Sequence, residues 1–378
     1  MSRTSRARLL SLFVLALALA LAACGPRTSA ATHRDIQPTA TATPDPRALA
    51  VDAFLTEQLH DKRFNGSVAV VRDGQLLLSK GYGMADWTQG VANTPQTEFR
   101  LGSLTKQFTA MAILLLRADG KLTLSDLICR YVPTCPDTWQ PITIEELLTH
   151  SSGIPDLADG DISDYSQPMT SEQLVALIET KPLAFAPGSG FLYSSAGYNV
   201  LGYIVERASG LSYATFLRER IFTPLGMSRT GFDVDHPTLP AHATGYASWQ
   251  TPAGYFDISL GLGAGSLEST ADDLVRWDRA LSGDALLPQS DIQAALTPHV
   301  GVCAQSCEDG LSNVGYGYGW FVGSGAYGTV EYHIGDVLGF KTLIARYPAS
   351  HSAIILLSNV ENVNVIGLLP TLERLAIS

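Results

Sequence analysis

Lysine is scarce in this 378-residue chain: 6 Lys stand against 19 Arg, and charged residues of both signs make up only 16 %. No run of basic residues offers a footprint for nucleic acid, and the formal net charge of −11 opposes binding to a phosphate backbone. Three common catalytic signatures are missing as well. There is no Gly-x-Ser-x-Gly elbow, no His-Glu-x-x-His helix and no Gly-x-x-x-x-Gly-Lys loop, which argues against an α/β-hydrolase, a zincin and a nucleoside triphosphatase. Internal repeats are absent. What is present is a 46 % hydrophobic composition, suited to a buried core and not to a disordered chain.

The N-terminus is organised differently from the rest. "MSRTSRAR" is a basic start without an acid, followed by the short apolar run "LLSLFVLALALALAA" and then Cys24. Residues 1–23 read as a secretory leader, too short and too lightly flanked for a spanning helix. "LAAC", Leu21 to Cys24, resembles the bacterial lipobox, whose cysteine is lipidated. This implies an extracytoplasmic, membrane-anchored bacterial lipoprotein, and loss of the leader takes the net charge to −14. Residues 24–47, rich in Pro, Thr and Ala, read as a tether, leaving 48–378 as one folded domain.

Export makes disulfides permissible. Cys129 and Cys135, and Cys303 and Cys307, form two close pairs, each able to close a local bridge. The rival is a metal site at His299, Cys303 and Cys307, four residues apart. Pro298 and Gly301 interrupt the helix that such spacing needs, so no metal is expected.

Along the domain, an amphipathic helix fits 47–61. "SVAVVRDGQLLLSKGYG" predicts a hairpin turning at Asp73-Gly74. Thr143 and Glu146 form a capping-box pattern. Helices fit 171–181, 197–208, 212–222, 270–281 and 363–376, and "GYGYGWFV", "VEYHIG", "FKTLIARYP" and "SAIILLSN" read as strands. Strands at both chain ends around a helical middle predict an α/β chain of the α+β type, with one antiparallel sheet built from both ends and a helical insert.

One stretch stands out chemically. "RLGSLTKQFTAMAILLLRADG" starts a helix near Ser103, stops it at Gly120, and places Lys106 one turn after the serine. No other lysine has a serine three residues before it. Unlike arginine, a buried lysine gives up its proton and serves as a base, and a serine hydroxyl needs one to become a nucleophile. Downstream, Tyr193-Ser194-Ser195 precedes a helix, and His333-Ile334-Gly335 ends a strand.

In that order, Ser-x-x-Lys, Tyr-Ser-x and His-x-Gly resemble the serine β-lactamase and penicillin-binding-protein group, in particular its class C β-lactamase, D-alanyl-D-alanine carboxypeptidase and esterase branch. The resemblance spans about residues 50–378 and extends to "LLTHSSGIPD", "GYNVLGYIVERASG", "PLGMSRTGF" and "GAGSLESTADDLVRW". It implies a β-lactamase/transpeptidase-like fold, no cofactor, Ser103 as nucleophile, Lys106 as base and Tyr193 as proton relay. It further implies an oxyanion hole from the backbone amides of Ser103 and Asp336. His333 is then expected to line the substrate site, and Gly335 to let substrate approach the strand. His150 belongs to a scaffold stretch and reads as structural.

Two positions depart from the family pattern. Ser195 stands where Asn is usual, with Asn199 four residues on, and His333 stands where β-lactamases carry Lys. The expected substrate is therefore a small-molecule or peptide acyl donor, an ester or amide such as a D-amino-acid peptide or carboxylic ester. With an ordinary pKa of about 6.5 for His333, carboxylated substrates are expected to bind better below that pH than above it. A true class C β-lactamase, and a degenerate penicillin-recognising or wall-binding lipoprotein, are the alternatives. Oligomeric state is left open.

Overall fold

Asp73 and Gly74, at φ 49° and 72°, close the hairpin between β1 (Gly66–Arg72) and β2 (Gln75–Tyr82) as expected. They belong to a computed structural model that describes residues 45–158, 160–232, 242–305, 307 and 310–378. The expected leader, Cys24 and the tether up to residue 44 lie outside the described residues. Within them, no helix is long and apolar enough to cross a membrane.

Six further strands follow late in the chain: β3 (Val300–Cys303), β4 (Ser312–Tyr316), β5 (Phe321–Gly325), β6 (Gly328–Val337), β7 (Phe340–Tyr347) and β8 (Ser352–Ser358). With the hairpin they form one eight-stranded sheet in the order β3-β4-β5-β6-β7-β8-β1-β2. Every pairing is antiparallel, and β1 meets β8 in the register Gly66↔Ser358 to Val71↔Ala353. The sheet is thus assembled from both chain ends. Alternation along β1 sends Ala69 and Val71 into one core and Val68 and Val70 into the other. The second core lies under the terminal helices α1 (Pro46–His60) and α7 (Val365–Ala376).

The first core holds the insert. Its helices are α2 (Thr105–Ala118), α3 (Ile144–Leu148), α4 (Ser171–Glu179), α5 (Ser195–Ser209) and α6 (Ala271–Leu281). Thr143 and Glu146 form the expected capping box on α3. Ser194 caps α5, accepting from the Gly197 amide at 2.9 Å, and Gly210 ends it at φ +76°. Cys129 joins Cys135, and Cys303 joins Cys307.

Two expectations need correction. The helix expected over 212–222 is α-helical only at Tyr213–Leu217 and widens to a π-turn at Arg218–Phe222. Pro224 follows, and its nitrogen cannot donate to the i−4 carbonyl. "GYGYGWFV" is not one strand. It spans the end of β4, a turn in which the Gly317 amide donates to the Trp320 carbonyl at 2.8 Å, and the start of β5. Gly319 in that turn has φ +79°, and a Cβ there would sit 2.8 Å from the Lys106 carbonyl oxygen. The glycines bring the turn against the start of α2.

Candidate active site

Ser103 sits in a single 3₁₀ turn, Gly102–Leu104, that leads into α2. Gly102 has φ +54°, and a Cβ on it would lie 2.9 Å from the Asp336 amide nitrogen. On the facing strand, a Cβ on Gly335 would fall 1.9 Å from the Leu101 carbonyl oxygen and 2.1 Å from the Thr342 hydroxyl. That hydroxyl donates to the same carbonyl at 2.8 Å. Two glycines therefore let β6 rest on the turn that carries Ser103, bringing the Asp336 backbone beside it. The close approach at Gly335 is made by the chain's own Leu101.

Lys106 is fully buried. Its Nζ lies 3.1 Å from Ser103 Oγ, 3.3 Å from Ser195 Oγ and 3.1 Å from the Ala264 carbonyl oxygen. Desolvation brings its pKa down to about 7, although the nearby Asp156 carboxylate pulls the other way. In the neutral form an amine has two N–H donors and one lone pair. The Ala264 carbonyl can only accept, and Ser195 Oγ takes the second donor, which leaves the lone pair facing the Ser103 hydroxyl. Ser195 is thereby useful in a position where an amide is usual.

Tyr193 completes the group. Its phenol hydrogen-bonds with Ser103, burial raises its pKa, and the Lys106 ammonium lies 4.7 Å from its ring centroid. The phenol is therefore neutral at working pH. Asn199, one helical turn after Ser195, donates to the Leu260 carbonyl and accepts from the Ala264 amide, both at 3.2 Å. It ties α5 to the loop that carries the Ala264 carbonyl. A cavity of about 150 Å³ opens here, lined by Ser103, Ser195, Asn199, Phe256 and Val337 among others.

His333 lies in the interior, near enough to Lys106 to be influenced by its charge. It is 1 % exposed and stands behind Tyr193, with ring centroids 6.0 Å apart. Its Nδ1 donates to the Ile334 carbonyl at 2.8 Å, and its Nε2 accepts from the Tyr316 hydroxyl at 3.2 Å. Desolvation, with the Lys106 charge adding to it, brings its pKa down to about 3. The expected change in carboxylate binding near pH 6.5 is therefore withdrawn, because this imidazole stays neutral throughout that range.

His150, at φ +56°, accepts from the Ser194 amide at 3.0 Å and packs between the rings of Tyr193 and Tyr198. It holds the second motif in place, in keeping with a structural role. Sequence reasoning missed Asp156, whose Oδ1 accepts from the Ala196 amide at 2.9 Å beside Ser195. It also missed Tyr316 and the Ala264 carbonyl. Among the described residues, one cluster could offer ligand atoms to a metal: Glu98, His242 and Glu268. His242 is ion-paired with both carboxylates, at 3.0 and 2.9 Å, and Arg229 stands 3.5 Å from Glu98. Hydrogen bonds to Glu268 and then Glu98 raise the His242 pKa to about 10, so a cation already fills this place.

The family profile described as Beta-lactamase matches residues 51–370, well over half the chain. The chain belongs to the beta-lactamase family. As a member, it is a serine hydrolase. PbpX of Bacillus subtilis (strain 168), named as a penicillin-binding protein, is 32 % identical over 311 residues, 82 % of this chain and 74 % of its own. The penicillin-binding protein of Bacillus halodurans superposes with a TM-score of 0.73 at 27 % identity, covering 85 % of this chain and 99 % of that one. The D-amino acid amidase of Ochrobactrum anthropi SV3, solved with D-phenylalanine, gives 0.74 at 26 % identity over 88 % and 98 %. These beta-lactamase-family folds match the antiparallel sheet and helical insert described above.

Proposed function

We propose that this protein hydrolyses esters or amides that lack a carboxylate, D-amino-acid amides and carboxylic esters among them, through an acyl-enzyme at Ser103. The observation that carries this reading is the 3.1 Å contact between Ser103 Oγ and a fully buried Lys106 whose pKa is near 7. Lys106 takes the Ser103 proton as Oγ bonds to the substrate carbonyl carbon, and the carbonyl electron pair moves to oxygen. The amides of Ser103 and Asp336 receive that oxyanion, each such donor lowering the barrier by about 3 kcal/mol. As the bond to the leaving group breaks, the proton returns from Lys106 through Tyr193 to the departing oxygen or nitrogen. Water then cleaves the seryl ester, with the same groups taking and returning its proton.

Substrate charge follows from what surrounds Ser103. His333 supplies no cation, and Lys341, the nearest lysine on β7, is ion-paired with Asp336. Burying a substrate carboxylate beside this neutral imidazole carries a desolvation cost, which disfavours penicillins. The likeness to a D-amino acid amidase supports amide cleavage. We place the enzyme outside the cytoplasm, anchored by a lipid on Cys24.

Mass spectrometry after treatment with a fluorophosphonate tests the nucleophile. The adduct is expected on the peptide containing Ser103, and Ser103→Ala is expected to abolish hydrolysis of p-nitrophenyl acetate. An adduct elsewhere, or wild-type turnover by the variant, would refute the proposal.

A further inference from the structure

The reaction cavity, at about 150 Å³, is smaller than the roughly 300–1,000 Å³ that usually encloses a small-molecule ligand. A second hollow on the outer face of the sheet falls inside that range. It measures about 690 Å³, and its walls include Val302, Val314, Phe321, Tyr332, Ile334 and Ile366. The terminal helices cover most of this face, but the hollow opens where the N-terminus of α7 meets the β3–β6 end of the sheet.

Only the strand carrying the third motif separates the two cavities. Side chains alternate along β6, so Ile334 and Asp336 face the hollow while Gly335 faces Leu101 and Val337 lines the cavity at Ser103. On one side, β6 pairs with β7 through His333–Val337. On the other side, the pairing with β5 stops at Phe321↔Tyr332. The edge from His333 to Val337 is therefore free of β5, and Asp336 lines both cavities. The ion pair of Asp336 with Lys341 stands at this crossing and is neutral overall. A chain running over the edge meets no net charge before it reaches the apolar walls.

We infer that the outer hollow is a substrate subsite for an apolar alkyl or aryl-alkyl chain attached to the ester or amide held at Ser103. The inference rests on the reading of Ser103 as nucleophile and adds the chemical class of the group that determines specificity. The carbonyl stays in the small cavity, and the chain crosses the free edge of β6 beside Asp336. Such a chain belongs to either the acyl or the alcohol half of the ester, and two substrate series distinguish them.

The acyl series is p-nitrophenyl acetate, butyrate and octanoate, and the alcohol series is the methyl, butyl and octyl esters of acetic acid. Full burial of a methylene is worth up to about fourfold in binding. kcat/KM is expected to rise at least tenfold from the shortest to the longest member of one series. Val302→Glu and Ile366→Glu place a carboxylate in the wall at two half-exposed positions remote from the chemistry. Each is expected to erase the chain-length gain while leaving the acetate rate within about twofold of wild type. Two variants on different elements guard against a folding defect in one. Failure to turn over any ester would overturn the nucleophile reading itself. Turnover of acetate with no gain in either series, or a gain that both variants keep, would overturn the subsite alone.

Discussion

Lys106 owes its lowered pKa to what surrounds it more than to its place in the sequence. Burial lowers its pKa to about 7 because the ammonium loses its water and gains no carboxylate contact in return. The sign of the pH effect follows. Below pH 7 the ammonium dominates, Ser103 has no base, and kcat/KM for an uncharged ester is expected to fall about tenfold per pH unit. Above pH 7 the neutral amine dominates and the rate levels off. A profile measured from pH 5 to 9 checks this, and a flat acid limb would remove Lys106 from the role of base. His333, neutral throughout, is expected to add no second inflection near pH 6.5. Ser103, Lys106 and Tyr193 were legible in the sequence because two share one helical turn and the third lies in an ordered motif. The tuning partners were not. The Ala264 carbonyl, Asn199 and Tyr316 meet this group from segments far apart along the chain, and no local pattern marks them. For the same reason the sequence did not show that Tyr316, on another strand, hydrogen-bonds the His333 ring.

Among the elements, the junction of β6 with the Gly102–Leu104 turn matters most. Gly335 leaves no room for a side chain, since a Cβ would fall 1.9 Å from the Leu101 carbonyl oxygen. Gly335→Ala is expected to push β6 off the turn and separate the Asp336 amide from Ser103. A loss of about 1–3 kcal/mol in stability is expected from such overpacking, with at least a tenfold fall in kcat/KM. Urea titration and ester kinetics on one preparation check both, and unchanged values in each would show that the junction tolerates displacement. The Thr143–Glu146 capping box on α3 was legible at this scale. The strand run "GYGYGWFV" misled because its aromatic residues favour strands. Its turn at Gly317–Trp320 depends instead on packing of Gly319 against Lys106, a contact between distant parts of the chain.

At the scale of the whole molecule, the sheet's use of both chain ends followed from the order of strand-like and helix-like segments, whereas its strand order did not. We propose that the domain is held at a membrane through Cys24. Cys24→Ala is expected to release the protein into the soluble fraction or leave the leader uncleaved, as fractionation and intact mass would report. Wild-type protein recovered in the medium with an unmodified Cys24 would overturn the anchor. The pairing of β1 with β8 also bears on biosynthesis. Synthesis delivers Gly66–Arg72 well before Ser352–Ser358, so the nascent hairpin waits with one flank of β1 unpaired. During that wait β6 and the Gly319 turn have yet to be made, and neither closes over Ser103 and Lys106. An unburied Lys106 keeps its ordinary pKa of about 10.4 and stays protonated. On the proposed mechanism, synthesis of the segment that carries Gly319 and β6 is therefore what completes the surroundings of Ser103 and Lys106.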